Sequence, residues 1–451
     1  MQNAQTEKYR IMTETPVKPL VCRLAVPTII SMLVTSFYNM ADTFFVGRIG
    51  TSASAAVGIV FSLMAIIQAT GFFFGHGSGN YISRALGRQD NDAASQMAST
   101  GFFSAMIAGL LIMTFGLIFL DPLAIALGST ETILPYAKDY MRIILIGAPF
   151  MTSSLVLNNQ LRFQGNAVYG MIGITSGAIL NIALDPLLIF VFDMGIAGAA
   201  LATVISQFVG LVLLWIGSRR SGGITIHPRN FRPSLALYKN VVKGGAPSLL
   251  RQGLNSVATI CLNVSAGIYG DAAIAGMSIV TRIMQFANSC LIGFGQGFQP
   301  VCGFNYGAKK YSRVKEAFWF CVKLSTCVLL CLAVVGFIFA PQIVSLFRDD
   351  PEVIAVGRMA MRMQCITFPL AAWIVMCNMM TQTIGKAVRA SFLAMSRQGL
   401  FFIPAVLILP RLFGIFGLEI SQAVADVVTF ALAIPLQVKT LREMDEEVGA
   451  E

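Results

Sequence analysis

Residues 101–120 read GFFSAMIAGLLIMTFGLIFL, a stretch without a charge. About 20 apolar residues in helical form cross the hydrocarbon core of a bilayer, so this stretch reads as one span. ALATVISQFVGLVLLWIG at 200–217 reads the same way. Such runs recur at 20–46, 55–82, 96–120, 135–162, 167–191, 196–217, 240–267, 275–304, 314–340, 353–383, 387–410 and 415–437. They are continuous, without the alternation of a membrane β-barrel, so helices are expected. The longer ones imply tilt or ends projecting beyond the lipid.

Composition agrees with twelve spans. The 451 residues are 56% apolar and 12% charged, where a soluble domain carries about a quarter charged residues. The net charge of +10 is not a nucleic-acid footprint, because Lys and Arg gather in alternate loops. The N-terminal tail (Lys8, Arg10, Lys18, Arg23), the turn at Arg84 and Arg88, the segment 218–239, the turn at Lys309–Lys315 and the pair Lys386 and Arg389 are basic. The loops between them lack Lys and Arg apart from Arg48, Arg348 and Arg411. Positive residues stay inside, so both termini are expected in the cytoplasm. The polar segment 1–16 precedes a full-length span, which does not read as a cleaved leader. The nine cysteines form no CxxC pair and lie mostly in apolar runs, so neither a metal nor a disulfide framework is expected.

The second half repeats the first in one constant register: FGHG at 74–77 falls on FGQG at 294–297, Pro27 on Pro247, Pro149 on Pro369, Asn158 on Asn378 and Gly165 on Gly385. Near the end the register slips by one position, where MGIAG at 194–198 faces FGIFG at 413–417. Chance hydrophobicity does not hold Gly and Pro in register over such a length. The expected fold is therefore an all-α polytopic membrane protein, with twelve transmembrane helices in two six-helix lobes. Residues 1–217 form the N-terminal lobe, 218–239 a basic linker and 240–451 the C-terminal lobe. Six spans per lobe start both on the same side, so a pseudo-two-fold axis runs along the membrane normal, as in carriers that rock two lobes about a central site.

YNMADTFFVGRIG (38–50), SRALGR (83–88), QGFQPVCGFNYGAKK (296–310), LNIALDP (180–186) and SRQGLFFIP (396–404) lie on these spans or at their ends. With the repeat, they make the chain resemble the multidrug and toxic compound extrusion family, in its bacterial drug-efflux branch. The resemblance implies export of amphipathic, often cationic, organic compounds by antiport with protons or sodium, across the plasma (inner) membrane of a prokaryote. It also implies that Asp42 and Asp185 bind the coupling cation, with Tyr38, Asn158 and Asn181 as polar neighbours. Some members carry a carboxylate on the seventh span; here 240–267 has no Asp or Glu, only Lys243 and Arg251.

The residues support part of this directly. A carboxylate inside the membrane costs at least about 2.5 kcal/mol when charged and lipid-facing, so it marks a function or a partner. Asp42 is about 22 residues into its span and Asp185 about 18 into its own, broadly equal depths in the outer half at about 1.5 Å per residue. Tyr38 and Asp42, and likewise Asn181 and Asp185, stand four apart and share a helix face. A proton is the favoured coupling ion; the same oxygens suit sodium, and no other metal or cofactor is expected. Pro186 removes a backbone donor and bends the helix beside Asp185. The structural alternatives are an Asp42–Arg48 ion pair, an interhelical hydrogen bond for Asp185 and a mere packing kink at Pro186.

In the second half, Arg397 and Asp426 are matched in depth, which predicts an ion pair or a substrate contact. Arg251 and Arg282 are expected to hydrogen-bond between helices. His76 and its repeat partner Gln296 are expected to make polar or close-packing contacts. The 22 Met and 33 Phe residues suit an adaptable cavity or ordinary packing, and Gly75, Gly77, Gly295 and Gly297 suit close helix approach or hinges. The expected partners are small organic molecules and the bilayer, with no nucleic acid and a monomeric chain. A lipid-linked precursor flippase is the alternative function. No HExxH, P-loop or GxSxG supports an enzyme, and few charged pore rings argue against a channel.

Overall fold

The computed structural model describes residues Gln2–Gly449; helices account for nearly all of them, and no strand occurs among the described residues. In chain order they are α1 (Gln2–Glu14), α2 (Val17–Gly47), α3 (Thr51–Gly87), α4 (Asn91–Ile118), α5 (Leu120–Ala126), α6 (Leu134–Phe163) and α7 (Ala167–Pro186), which runs on as a π turn (Leu187–Val191), then α8 (Ile196–Arg220). The second half has α9 (Leu235–Gly267), α10 (Asp271–Gly307), α11 (Tyr311–Ile338), α12 (Ala340–Phe347), α13 (Pro351–Thr367), α14 (Leu370–Thr383), α15 (Ala387–Met395) with a π turn (Ser396–Leu400), α16 (Phe402–Phe413) and α17 (Ile415–Gly449). With α13–α14 and α15–α16 each taken as one broken rod, twelve long rods remain. The expected spans fall on these rods, although α8, α9 and α17 run several residues further than hydropathy indicates.

Among the described residues nine helices are long and apolar enough to cross a membrane, or ten if α13 and α14, bent by 58°, count as one. The remaining rods, α9 and α10, fall short because Arg251, Gln252, Asn255, Arg282, Gln285 and Asn288 interrupt them.

The repeat is written into the backbone as well as the sequence. Gln89 (φ 60°) ends the helical stretch after α3 in the left-handed region, and Lys309, its repeat partner, does the same after α10 (φ 59°). Gly165 (φ 80°) is matched by Gly385 (φ 87°), and Gly195 (φ 58°) by Gly414 (φ 65°) at the slipped register. Positive φ strains most side chains, and glycine takes two of these three repeated turns, while Gln89 and Lys309 hold the other.

Both termini lie on one side of the bundle, and there the halves meet. Gly77 of α3 faces Gly244 of α9 so closely that a Cβ on Gly244 would sit 3.0 Å from the Gly77 Cα. On the other flank the Thr28 hydroxyl of α2 donates to the Gly293 carbonyl of α10 (2.6 Å). One apolar core runs unbroken across this seam. A second core, from Val46 to Ala200, is confined to the far half of the first lobe. The lobes are thus joined on the terminus side and part toward the other. Of the expected glycine contacts, Gly77 and Gly297 serve the seam, whereas Gly75 packs on Asn159 and Gly295 on Met379 within their own lobes.

Two features near the termini had no counterpart in hydropathy. Helix α1 is a strap between the lobes: Gln5 donates to the Gly223 carbonyl (3.3 Å) and Lys8 reaches Asn166, while Asn305 and Lys310 donate to the Met12 and Thr13 carbonyls (3.0 and 3.2 Å). At the other end, Glu443 of α17 binds Lys386 (3.0 Å), just before α15, and the guanidinium of Arg389 on α15. Arg389 first, then Lys386, holds the Glu443 carboxyl down to about 2. Because the folded value lies below the unfolded one of about 4.3, this stabilisation is present above that unfolded value and lost as pH falls toward 2. Glu443→Gln should therefore lower the thermal midpoint in detergent at pH 7, with the gap from wild type narrowing as pH drops below about 4.3. A gap that is constant with pH would rule the pair out as its source.

Candidate functional site

The far half of the first lobe brings two carboxylates together. Asp42 projects from α2 and Asp185 from the last turn of α7, and their carboxyl groups lie side by side within hydrogen-bonding reach. With the Asn181 amide turned to suit both neighbours, its Nδ2 donates to Asp185 Oδ2 (2.9 Å) and its oxygen accepts from the Thr203 N–H of α8 (3.2 Å). Tyr38 of α2 and Tyr140 of α6 stand beside this group near Thr203, and the Tyr140 hydroxyl donates to Met64 Sδ (3.9 Å). Asp42 Oδ1 and Asp185 Oδ1 are buried with no donor. Two such acceptor oxygens in one buried group are chemically suited to a proton or a small hard cation.

Backbone chemistry sets Asp185 in position. Pro186 has no N–H, which opens the i→i−4 ladder at this point, and the chain answers with the widened π turn, closed by Phe192 N–H on the Leu187 carbonyl (3.0 Å). Gly198 of α8 packs against the Leu188 carbonyl there. The alternative for Asp42 is not what the structure contains: Arg48 stacks on the Phe44 ring at 4.6 Å, and Asp42 forms no ion pair among the described residues.

Asn158 does not belong to this group. Its Nδ2 donates to the Gly170 carbonyl (3.2 Å), fifteen residues before Asp185 on α7 and so about 22 Å along the axis. Asn378, its repeat partner, makes the same bond to Ala390 (2.7 Å). The asparagine tethers neighbouring helices in both lobes, near the terminus side. Helical depth within α6, invisible to motif matching, places it away from the carboxylates.

The second lobe handles its buried acid differently. Asp426 Oδ1 accepts from Arg397 Nε (2.8 Å) and Gln422 Nε2 (3.0 Å), and Oδ2 from Thr367 (3.4 Å). Both oxygens are satisfied and the charge is neutralised. Removing one partner of such a pair strands the other and costs about 3–5 kcal/mol, whereas apolar replacement of both is close to neutral. Asp426→Ala should therefore cut the yield of folded protein sharply, and Arg397→Met with Asp426→Leu should restore it on size-exclusion chromatography. An equal loss in the double variant would mean that the pair contacts something else.

His76 and Gln296 lie in the seam, gathered by a residue that sequence reading passed over. Arg162, 2% exposed at the end of α6, donates through Nη1 to Gln299 Oε1 (2.8 Å) and the Gln296 backbone carbonyl (3.3 Å). Through Nη2 it reaches His76 Nε2 (3.3 Å) and Asn159. Gln296 contributes its main chain, not its amide. In the sequence, Arg162 reads as another positive residue at the inner end of a span, which masks it. Tyr140 is hidden likewise in the polar run YAKDYMR, and Thr203 is one hydroxyl in an apolar stretch.

Arg251 and Arg282 do not hydrogen-bond between helices. Among the described residues neither makes a side-chain hydrogen bond or an ion pair. No group of three or more His, Cys, Asp or Glu is arranged to hold a metal among the described residues.

Two repeated helical lobes, closed on one side and parted on the other, with a buried acid pair inside one of them, define a two-lobed polytopic membrane carrier. The MatE family model matches the chain twice, at residues 27–187 and 247–407, in the same register as the internal repeat. The chain belongs to the MATE family of transporters. It is 29% identical over 431 residues to the multidrug export protein MepA of Staphylococcus haemolyticus, covering 95% of each. It is 28% identical to MepA of Staphylococcus aureus strain NCTC 8325, covering 97% of each. Among solved structures it superposes on MATE in the straight conformation with a TM-score of 0.92 at 26% identity, covering 97% of this chain and 99% of that one. An outward-facing multidrug resistance MATE transporter gives 0.91 at 26% identity over 97% and 98% of the two chains.

Proposed function

We propose that the protein exports amphipathic organic compounds from the cell by antiport with a cation taken up at Asp42 and Asp185, a proton in preference to sodium. The observation that carries this reading is the pair of adjacent carboxyls, each with an oxygen that has no donor, and neither in an ion pair among the described residues. Two like charges held side by side away from water are costly, and one proton or one sodium ion relieves that cost. The oxygens of the two carboxylates, with the Thr203 and tyrosine hydroxyls, form a donor set that suits either.

Helix α2 supplies the link to transport, since it carries both Asp42 and the seam residues Thr28 and Ser36, the latter 3.2 Å from Ser289 of α10. Loading a cation draws α2 toward α7, alters the face that α2 offers α10, and so biases the lobes between their two arrangements. In this reading the terminus side is cytoplasmic, the cleft opens outward, and the lobes divide within the basic segment at 218–239. The similarity to MepA supports drug-like cargo.

The test is efflux of a fluorescent organic compound from everted vesicles, with proton and sodium gradients imposed one at a time. Movement under the proton gradient alone is the expected result. Movement under sodium alone would reassign the ion, and none under either would remove antiport from consideration.

A further inference from the structure

The seam helices continue past the point where the lobes part, and their faces change character there. On α9 one of the residues packed against α3 at the seam is Gly244. Seven residues further along, two turns and nearly the same azimuth, stands Arg251, half-buried. On α10 the corresponding residue is Ser289, bonded to Ser36 of α2. Seven residues toward the open side stands Arg282, exposed. Each arginine therefore lies on the face that touched the other lobe two turns earlier, and where the helices diverge that face lines the cleft. Gln252, Asn255, Ser256 and Thr259 extend the polar wall of α9 at helical spacing. Helix α9 contains no Asp or Glu, and α10 contains only Asp271, its first residue.

The opposite wall is apolar. Phe37 of α2 meets Phe286 of α10 with ring centroids 5.7 Å apart at the foot of the cleft. Above it, Met40 and Phe44 follow on the same face, and Phe37, Met40 and Phe44 are 55%, 54% and 55% exposed. On α3, Ile66 stands seven residues from Phe73, which abuts Gly245 at the seam. Two guanidinium groups with no acid partner inside a membrane protein are costly unless something neutralises them. Arg presents a donor fork that matches carboxylate, sulfonate and phosphate oxygens.

From this juxtaposition we infer that the cleft holds a subsite for an anionic head group: Arg251 and Arg282 bind the acid, and the apolar body lies along α2 and α3. The inference rests on the exporter reading and refines its cargo, toward compounds that carry an acidic group and away from simple cations. The same head chemistry occurs in a soluble organic acid and in an anionic lipid.

Equilibrium dialysis of the purified full chain in neutral detergent, with no ion gradient, tests this separately from coupling. The probes are a naphthalene sulfonate and a naphthyl trimethylammonium that differ only in the head group. Wild type should bind the sulfonate at least about tenfold more tightly, and Arg251→Gln with Arg282→Gln should erase that preference by weakening the sulfonate about tenfold or more. Arg251→Lys with Arg282→Lys keeps the charge and should retain most of the preference, which separates head recognition from folding. Competition by phosphatidylglycerol at lower concentration than the soluble acid supports the subsite with a lipid as its occupant. Equal or tighter binding of the ammonium by wild type, or sulfonate binding unchanged in the Gln variants, overturns the inference. Neither outcome depends on whether Asp42 and Asp185 couple transport.

Discussion

Asp185→Asn should abolish gradient-driven efflux while leaving the protein folded and able to bind its cargo. The amide is nearly isosteric, so Asn181 and Thr203 keep their places, but the pair can no longer take up and release a proton. Asp42→Asn should behave alike, because Asp42 and Asp185 stand together as one unit. Residues acting as a unit are not additive, so the double variant should be no worse than either single one. The measurement is initial efflux rate in everted vesicles under the imposed gradient, set beside cargo exchange without a gradient. Loss of the first with retention of the second places coupling at the pair. Gradient-driven rates within about twofold of wild type in both variants would make the carboxylates structural, since a lost catalytic proton carrier costs far more than that.

Arg162→Met should unlock the seam. The guanidinium bridges the lobes through Gln299 and the Gln296 carbonyl, and Asn159 and His76 depend on the same group. Methionine fills the volume but leaves buried acceptors without donors, at about 1–3 kcal/mol for each. Even one such loss near the upper end shifts the balance between seam-closed and seam-open lobes by about tenfold or more. Spin labels at Asp92 and Ser312, on the terminus-side ends of α4 and α11, report that separation once the native cysteines are replaced. A longer-distance population should appear in Arg162→Met, with slowed transport. Arg162→Lys should rescue little, because a point charge cannot serve four partners spread over a planar fork. Distances and rates unchanged in both variants would show that the glycine contacts close the seam without Arg162.

Much of the architecture was legible in the chain because its signals are local or periodic. A span announces itself by unbroken apolarity, and the repeat by Gly and Pro held in one register. Asp42 and Asp185 stood out for the same reason: a carboxylate in an apolar run is conspicuous without knowledge of its neighbours. Depth followed from counting residues at a fixed rise. The direction in which a side chain faces, and what it meets, did not follow, since both depend on contacts between helices distant in sequence. Asn158 is a different case: the family resemblance sets it beside the carboxylates, whereas its position near the inner end of α6, where it binds Gly170, keeps it away from them. Nothing in the sequence singles out Arg162, which joins the lobes, and Arg251 and Arg282, expected to tether helices, stand unpaired among the described residues. Helix α1, too polar to read as a span, became a strap through bonds to Asn305 and Lys310 from the far half of the chain. Sequence settles which segments are helical and how deep each residue lies along its rod, because those are properties of one helix. Packing between lobes settles which buried polar groups find partners and which are left facing a cleft, because that is a property of two.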